Sequence, residues 1–183
     1  LRENGSIISL ATPTPVQVQE ELINSNDFVK IIPSANSHKM YNGFVALRDD
    51  GSIYQWPFAN SYSSGDQIQV PNTAQELSGE IDVIEVIANG LGFSAVREDG
   101  SVFYFRDNNV DLIQGLNGNK DINIIPNRYG FAAIKEDGSV FTWGYDTSAL
   151  TSELSGEIDV VEIIANKDSF AAIREDGSVI TWG

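Results

Sequence analysis

The sequence predicts an all-β fold of β-propeller blades, each of three to four antiparallel strands, about four complete and one partial. Three observations predict it. A hairpin pattern recurs with turn glycines at Gly5, Gly51, Gly100, Gly138 and Gly177, spaced 46, 49, 38 and 39 residues apart, near the length of one four-stranded blade. The strands flanking those turns are apolar on both faces. A second apolar segment also recurs, SGEIDVIEVIAN from Ser78 and SGEIDVVEIIAN from Ser155, at the same 77-residue offset that separates Gly100 from Gly177.

The five hairpins begin LRENGSIIS at Leu1, GFVALRDDGSIYQW at Gly43, GFSAVREDGSVFYF at Gly92, GFAAIKEDGSVFTW at Gly130 and SFAAIREDGSVITW at Ser169. Asp-Gly between two β-rich apolar runs is a strong hairpin signal. The glycine supplies a positive φ that costs other residues roughly 1–2 kcal/mol, so Gly138→Val and Gly177→Val are expected to destabilise alike. Strands such as Phe170–Ile173 and Val179–Trp182, apolar on both faces, must be covered on both faces. Blades stacked in a ring supply that cover to one another. Trp56, Phe105, Trp143 and Trp182 recur at one repeat position and read as inter-blade core; the rival reading is a ring of exposed ligand-binding aromatics. The small Ala132, Ala133, Ala171 and Ala172 suit a crowded axis.

The stretch Ile158–Ala165 reads as an innermost strand, and Gln67–Val70, ending at Pro71, as an outer edge strand, where a proline is tolerated. VKIIP (Val29–Pro33) resembles INIIP (Ile122–Pro126), so two blade types alternate, as after duplication of a two-blade unit. Pro33 precedes its turn glycine by 18 residues and Pro126 by 12, an insertion of 6 around Asn36–Tyr41. The expected blade boundaries are 1–28 (partial), 29–77, 78–118, 119–154 and 155–183, in one domain or propeller fragment.

Composition narrows the partners. With 26 acidic and 11 basic residues the formal net charge is −15, which repels phosphate backbones and anionic lipid heads. Nucleic acid is excluded as the expected partner. Membrane insertion is excluded as well, because no apolar run approaches the roughly 18 residues a span needs. The absence of cysteine removes disulfides and thiolate sites. No signal peptide is visible, and the chain opens on Leu1 rather than Met, so a processed product or excised segment is expected. An extracellular or cell-surface setting, in a larger bacterial-type protein, is favoured over the cytoplasm.

Catalytic chemistry is sparse. The single histidine, His38, lacks the orienting group that a general base needs. No Gly-x-Ser-x-Gly or Ser-x-x-Lys nucleophile and no phosphate-cradling loop occurs. The pairs Asp49-Asp50, Glu98-Asp99, Glu136-Asp137 and Glu175-Asp176 fall at hairpin tips, where turn chemistry and solvation explain them. Asp107-x-Asn109-x-Asp111 imitates the start of a calcium loop but has Leu112 where glycine is required; it reads as a polar loop. Asn4-Gly5-Ser6 is a glycosylation triplet placed in a hairpin turn. No cofactor, metal or catalytic residue is expected.

Variable loops on a rigid frame are the better candidates for function. Two stand out: Ser34–Asn42, with His38, Met40 and Tyr41, and Trp56–Gly65, with Phe58 and Tyr62. Aromatic and Met side chains on loops are favoured interface anchors; the bland alternative is that they pack beneath their own loops.

At its repeated segments the chain resembles the regulator of chromosome condensation repeat family. The resemblance rests on Ile87-Ala88-Asn89-Gly90 before Ala95-Val96-Arg97-Glu98-Asp99-Gly100-Ser101-Val102. It rests equally on Ile164-Ala165-Asn166 before Ala172-Ile173-Arg174-Glu175-Asp176-Gly177-Ser178-Val179 and Trp182-Gly183. It covers essentially the whole chain and implies a closed ring of seven blades. Gly92 and Ser169 stand where that family has His, the Gly-Gln-Leu-Gly turn is missing, Trp56 is followed by Pro57, and Phe105 replaces a Trp. The resemblance therefore points to a divergent, bacterial-type branch. The chain is then a fragment of a longer propeller, one half of a homodimer joined through open propeller ends, or a ring closed by strands shared between its termini.

A non-catalytic scaffold for protein–protein interaction is the leading expectation. A carbohydrate-binding propeller is the alternative, an enzyme with a metal or carboxylate site in the central channel comes third, and nucleotide exchange on a small GTPase, implied by the resemblance alone, comes last.

Overall fold

The structure, a computed structural model, describes residues 3, 6, 24–35, 43–57, 79–106, 109–116, 118, 121–144, 154 and 157–183. The described strands form four antiparallel sheets, each a meander in chain order. Blade I holds β1 (Phe28–Pro33), β2 (Gly43–Arg48) and β3 (Ile53–Pro57). Blade II holds β4 (Val83–Ala88), β5 (Phe93–Arg97), β6 (Val102–Arg106) and β7 (Asn109–Leu112). Blade III holds β8 (Ile124–Pro126), β9 (Gly130–Ile134) and β10 (Val140–Gly144), and blade IV holds β11 (Val160–Ala165), β12 (Phe170–Arg174) and β13 (Val179–Trp182). The first strands meet in succession, β1 with β4, β4 with β8 and β8 with β11. They are the inner strands of β-propeller blades. Among the described residues no helix is long and apolar enough to cross a membrane.

Alternation along each strand sends side chains to two faces, and both faces are used. Val45, Leu47 and Ile53 of blade I join Val86, Phe93, Ala95 and Phe105 of blade II in one core cluster. The other face of blade II, through Val96 and Val102, joins Ile124, Phe131, Ala133 and Trp143 of blade III. Ala132 of blade III joins Ile163, Phe170, Ala172 and Trp182 of blade IV. Consecutive alanines on β9 thus serve two different cores. They thin a second strand between neighbouring sheets and do not sit on an innermost strand at the axis.

One cross-strand aromatic pair repeats in three blades. Phe93 faces Phe105, Phe131 faces Trp143 and Phe170 faces Trp182, with near-parallel rings 5.4, 5.4 and 5.3 Å apart. Each such pair is worth roughly 0.5–1.5 kcal/mol beyond the area it buries. Phe44 faces Trp56 at the matching place in blade I; the Trp56 side chain lies outside the described residues. The residue one blade back decides how each aromatic is completed. Phe105 shares its cluster with Val45, an apolar match. Trp143 donates its indole N–H to Ser94 Oγ at 2.8 Å, both groups buried. Trp182 has Ala132 at that place, and its buried Nε1 has no partner.

The turns explain the repeated Asp-Gly-Ser. The Gly51 N–H donates to the Arg48 carbonyl and the Arg48 N–H to the Ser52 carbonyl, and the same pair of bonds recurs around Gly100, Gly138 and Gly177. This is a tight turn followed by a left-handed glycine, with φ of +74°, +79°, +73° and +80° at the four glycines. The Asp side chain closes the loop by accepting the backbone N–H of Ser52, Ser101, Ser139 or Ser178. The acidic pairs at the tips are exposed, as the sequence predicts, while the backbone of two of the turns also meets the next blade. The Gly51 carbonyl accepts the Val83 N–H of the next blade and the Gly138 carbonyl that of Val160. Residues 79–83 and 157–160, the described parts of the two repeated segments, are therefore the pieces that dock on the preceding turn.

Four further expectations are corrected. The strand expected over Ile158–Ala165 starts at Val160. It is covered on one face only, since Val160 and Ile163 are buried whereas Val161, Glu162 and Ile164 are exposed. Ile164 and Val179 are 52% and 60% exposed, while their repeat counterparts in blade II are half-buried Ile87 and buried Val102. Asn109–Asp111 is not loop but most of β7, because Val110 alternates onto the core between blades I and II. Gly177 differs from Gly51 and Gly138 in these surroundings: a Cβ on Gly177 would meet nothing within 4 Å, whereas one on Gly51 would lie 2.5 Å from the Asp82 Cα and one on Gly138 2.4 Å from Asp159 Oδ1. The Gln67–Val70 strand and the partial blade at residues 1–28 fall largely outside the described residues.

Two predictions follow from these contacts. Gly177→Ala should cost about 1 kcal/mol through its positive φ alone, and Gly51→Ala clearly more, because the next blade must also move; urea denaturation of the two variants measures the difference, and equal losses would refute the docking role of the turn. Ser94→Ala should cost about 1–3 kcal/mol by orphaning the Trp143 indole, whereas Ala132→Ser should add about 1 kcal/mol by giving Trp182 its partner; thermal melts report both signs.

Candidate functional site

The two ends of the propeller differ in charge. Strands β2, β5, β9 and β12 all run from the first turn of their blade to the Asp-Gly turn. The Asp-Gly end collects Asp49, Asp50, Glu98, Asp99, Glu136, Asp137, Glu175 and Asp176, along with Asp82 and Asp159 of the docking segments. At the opposite end, where inner strands turn back into second strands, the charged residues among those described are Arg106, Arg128, Lys167 and Asp168. Among the described residues of a chain of net charge −15, that end thus carries more cations than anions.

The turns at that face are built on asparagine. Asn89 Oδ1 accepts the Leu91 and Gly92 N–H groups, Asn127 Oδ1 those of Tyr129 and Gly130, and Asn166 Oδ1 those of Asp168 and Ser169. A side-chain carbonyl that caps two backbone donors fixes the turn at little cost. In blade I Ser34 stands in the same place, its Oγ accepting the Gly43 N–H. The turns also hold each other: the Ala35 N–H donates to the Asn89 carbonyl and the Arg128 N–H to the Lys167 carbonyl. Between them Gly90 fits close to Arg128, whose carbonyl oxygen would lie 2.4 Å from any Cβ placed there.

These turns enclose an open cavity of about 410 Å³ on the axis, lined by the three asparagines, Arg128 and Lys167, with Ala35 at its blade I side. The Arg128 guanidinium stacks over the Tyr129 ring, 5.1 Å from its centroid, and lies 3.9 Å from the Asp168 carboxylate. Arg128 is half-buried and Asp168 exposed, and a pair at that distance contributes little.

The loops singled out from sequence leave from this same end. Residues 36–42 join Ala35 to Gly43, and Gly43 pairs with Pro57, after which the second loop begins. His38, Met40, Tyr41, Phe58 and Tyr62 themselves lie outside the described residues. Of the aromatics, Phe105, Trp143 and Trp182 lie in the cores between blades. The asparagine turns and the two cations were missed in reading the sequence, although the recurrent Asn89 and Asn166 in IAN, with Asn127 after IIP, carry the signal.

At the acidic end the turn carboxylates are tuned. Hydrogen bonds from the Ser52, Ser101, Ser139 and Ser178 groups hold Asp50, Asp99, Asp137 and Asp176 below the ordinary aspartate value of 3.8. A carboxyl more acidic in the folded chain adds stability above 3.8, and that stability drains away as pH falls through 3.8 towards the depressed value.

No protein-family model matches the chain, and no curated protein matches it either. Solved structures do match. Prp20p from Saccharomyces cerevisiae superposes with a TM-score of 0.51 at 12% identity, covering 85% of this chain and 44% of its own. Yeast RCC1 (Prp20) bound to Kap60 gives 0.50 at 12%, covering 85% and 43%, and human WBSCR16 gives 0.48 at 18%, covering 85% and 47%. The chain spans less than half the length of these proteins. At such identities the likeness shows a shared propeller fold.

The tuned turns make a prediction. Between pH 6 and pH 3 the native chain should lose more stability in urea than a Ser52→Ala/Ser139→Ala variant, whose turn aspartates have lost their hydroxyl donors; equal losses would separate these turns from acid sensitivity.

Proposed function

We propose that this chain is a non-catalytic protein-binding scaffold, carried within a larger surface or secreted protein, and that its partner docks on the asparagine-turn end. The observation that carries this reading is the convergence of both variable loops of blade I on the end where Arg128, Lys167 and the axial cavity lie. A rigid frame that varies its loops at one end presents a binding surface there. Proteins sharing the fold are consistent with such use: yeast RCC1 has been solved bound to Kap60, and Prp20p has been studied for binding to Gsp1p and histones. Those partners belong to those proteins. Here Met40, Tyr41, Phe58 and Tyr62 are the proposed anchors and His38 a flanking contact.

Chemical cross-linking in the parent organism, read by mass spectrometry, tests the reading. Partner peptides should link to residues 34–42 and 57–65. Phe58→Ala with Tyr62→Ala, or replacement of residues 36–42 by a short asparagine turn, should abolish those links while leaving the thermal melt within a few degrees. Links confined to the Asp-Gly end, or links surviving both variants, would remove these loops from the function.

A further inference from the structure

We infer that the axial cavity is a carboxylate-binding site, in which Arg128 and Lys167 supply charge and the asparagine turns supply neutral donors. This deepens the scaffold reading by naming the chemistry of what enters the binding end, and it rests on that end being the one used.

The side-chain oxygens of the three lining asparagines are already engaged. Each of Asn89, Asn127 and Asn166 uses its side-chain oxygen to cap two backbone N–H groups. What a capped carboxamide has left to offer is its NH₂. Asn89, 1% exposed, is among the lining residues, and its Nδ2, itself out of reach of solvent, has no hydrogen-bond partner. The backbone carbonyls of Asn89 and Lys167 are occupied by the Ala35 and Arg128 N–H groups. Among the described residues the charged lining residues are Arg128 and Lys167, and the nearby Asp168 reaches Arg128 only at 3.9 Å. Stacking on Tyr129 holds the guanidinium plane in place, which suits the forked geometry of a carboxylate. A cationic ligand would find no charged acceptor among those lining residues, and it would be drawn instead to the acidic opposite end.

Free carboxylates and acidic side chains of a polypeptide share this chemistry, and titration of the purified chain separates them. The probes are citrate, an N-acetylated peptide of four glutamates flanked by glycines, and the same peptide with glutamine in place of glutamate, each followed by amide chemical shifts and calorimetry. Citrate or the glutamate peptide should saturate and shift the amides of Asn89–Gly92, Asn127–Gly130 and Asn166–Ser169, whereas the glutamine peptide should not bind. Citrate alone would identify a small-molecule ligand, and tighter binding of the peptide an acidic segment of a partner. Arg128→Gln with Lys167→Gln should weaken binding roughly tenfold or more, the scale of lost charge-assisted bonds. Arg128→Lys should weaken it less. Lys135→Gln, which removes one positive charge at the other end, should leave it unaltered. Superposable melts would show that the variants fold. Failure of both carboxylate probes to bind, or equal binding by the double variant, overturns the site. Loop-dependent partner links persisting after that failure would leave the scaffold reading standing; carboxylate binding without any such links would do the reverse.

Discussion

A β-sheet that is apolar on both faces has no stable life in water, and every other feature of this protein answers that constraint. Each described sheet buries one row of side chains against the sheet before it or after it, and blades II and III do so on both sides. The stacking is directional. The aromatic closing each third strand leans on a residue of the blade behind, as Trp143 does on Ser94. Stability therefore resides in the interfaces between blades more than in the blades, the condition that makes repeat proteins nearly one-dimensional.

The turns connect that stacking to the two ends. At the Asp-Gly end the glycine does more than admit a positive φ: its missing side chain lets the next blade's docking segment close over the turn, with a backbone bond to Val83 or Val160. At the other end asparagine caps perform the corresponding task, and the inner strands are held closely enough to frame a cavity. Both devices are structural in origin. Their by-product is an electrostatic polarity along the axis, acidic where carboxylates build hairpins and donor-rich where amide oxygens have been consumed.

Much of this was legible in the sequence, because the repeat displays its own periodicity. The Asp-Gly hairpins, the two-faced strands and the inner strand ending in Ala165 could be placed before any coordinates. Three things could not. The fourth strand, β7, packs Val110 against the core and looks polar when read alone. The unequal situation of Gly177 depends on what lies beyond the turn, which identical local sequence cannot reveal. The cavity brings together Asn89, Asn127, Arg128, Asn166 and Lys167 from three blades, residues far apart in the chain that only the shared axis makes neighbours.

The central claim is that a blade is held by its neighbours, and residue-resolved hydrogen exchange tests it most directly. The amides of β5 and β9, in sheets covered on both faces, should be the most protected. Those of β12 and β13 in blade IV, covered on one face, should exchange sooner although their hairpin sequence is almost the same. Equal protection of β12 and β5 would mean that blades stand on their own hydrogen bonds, contradicting the account.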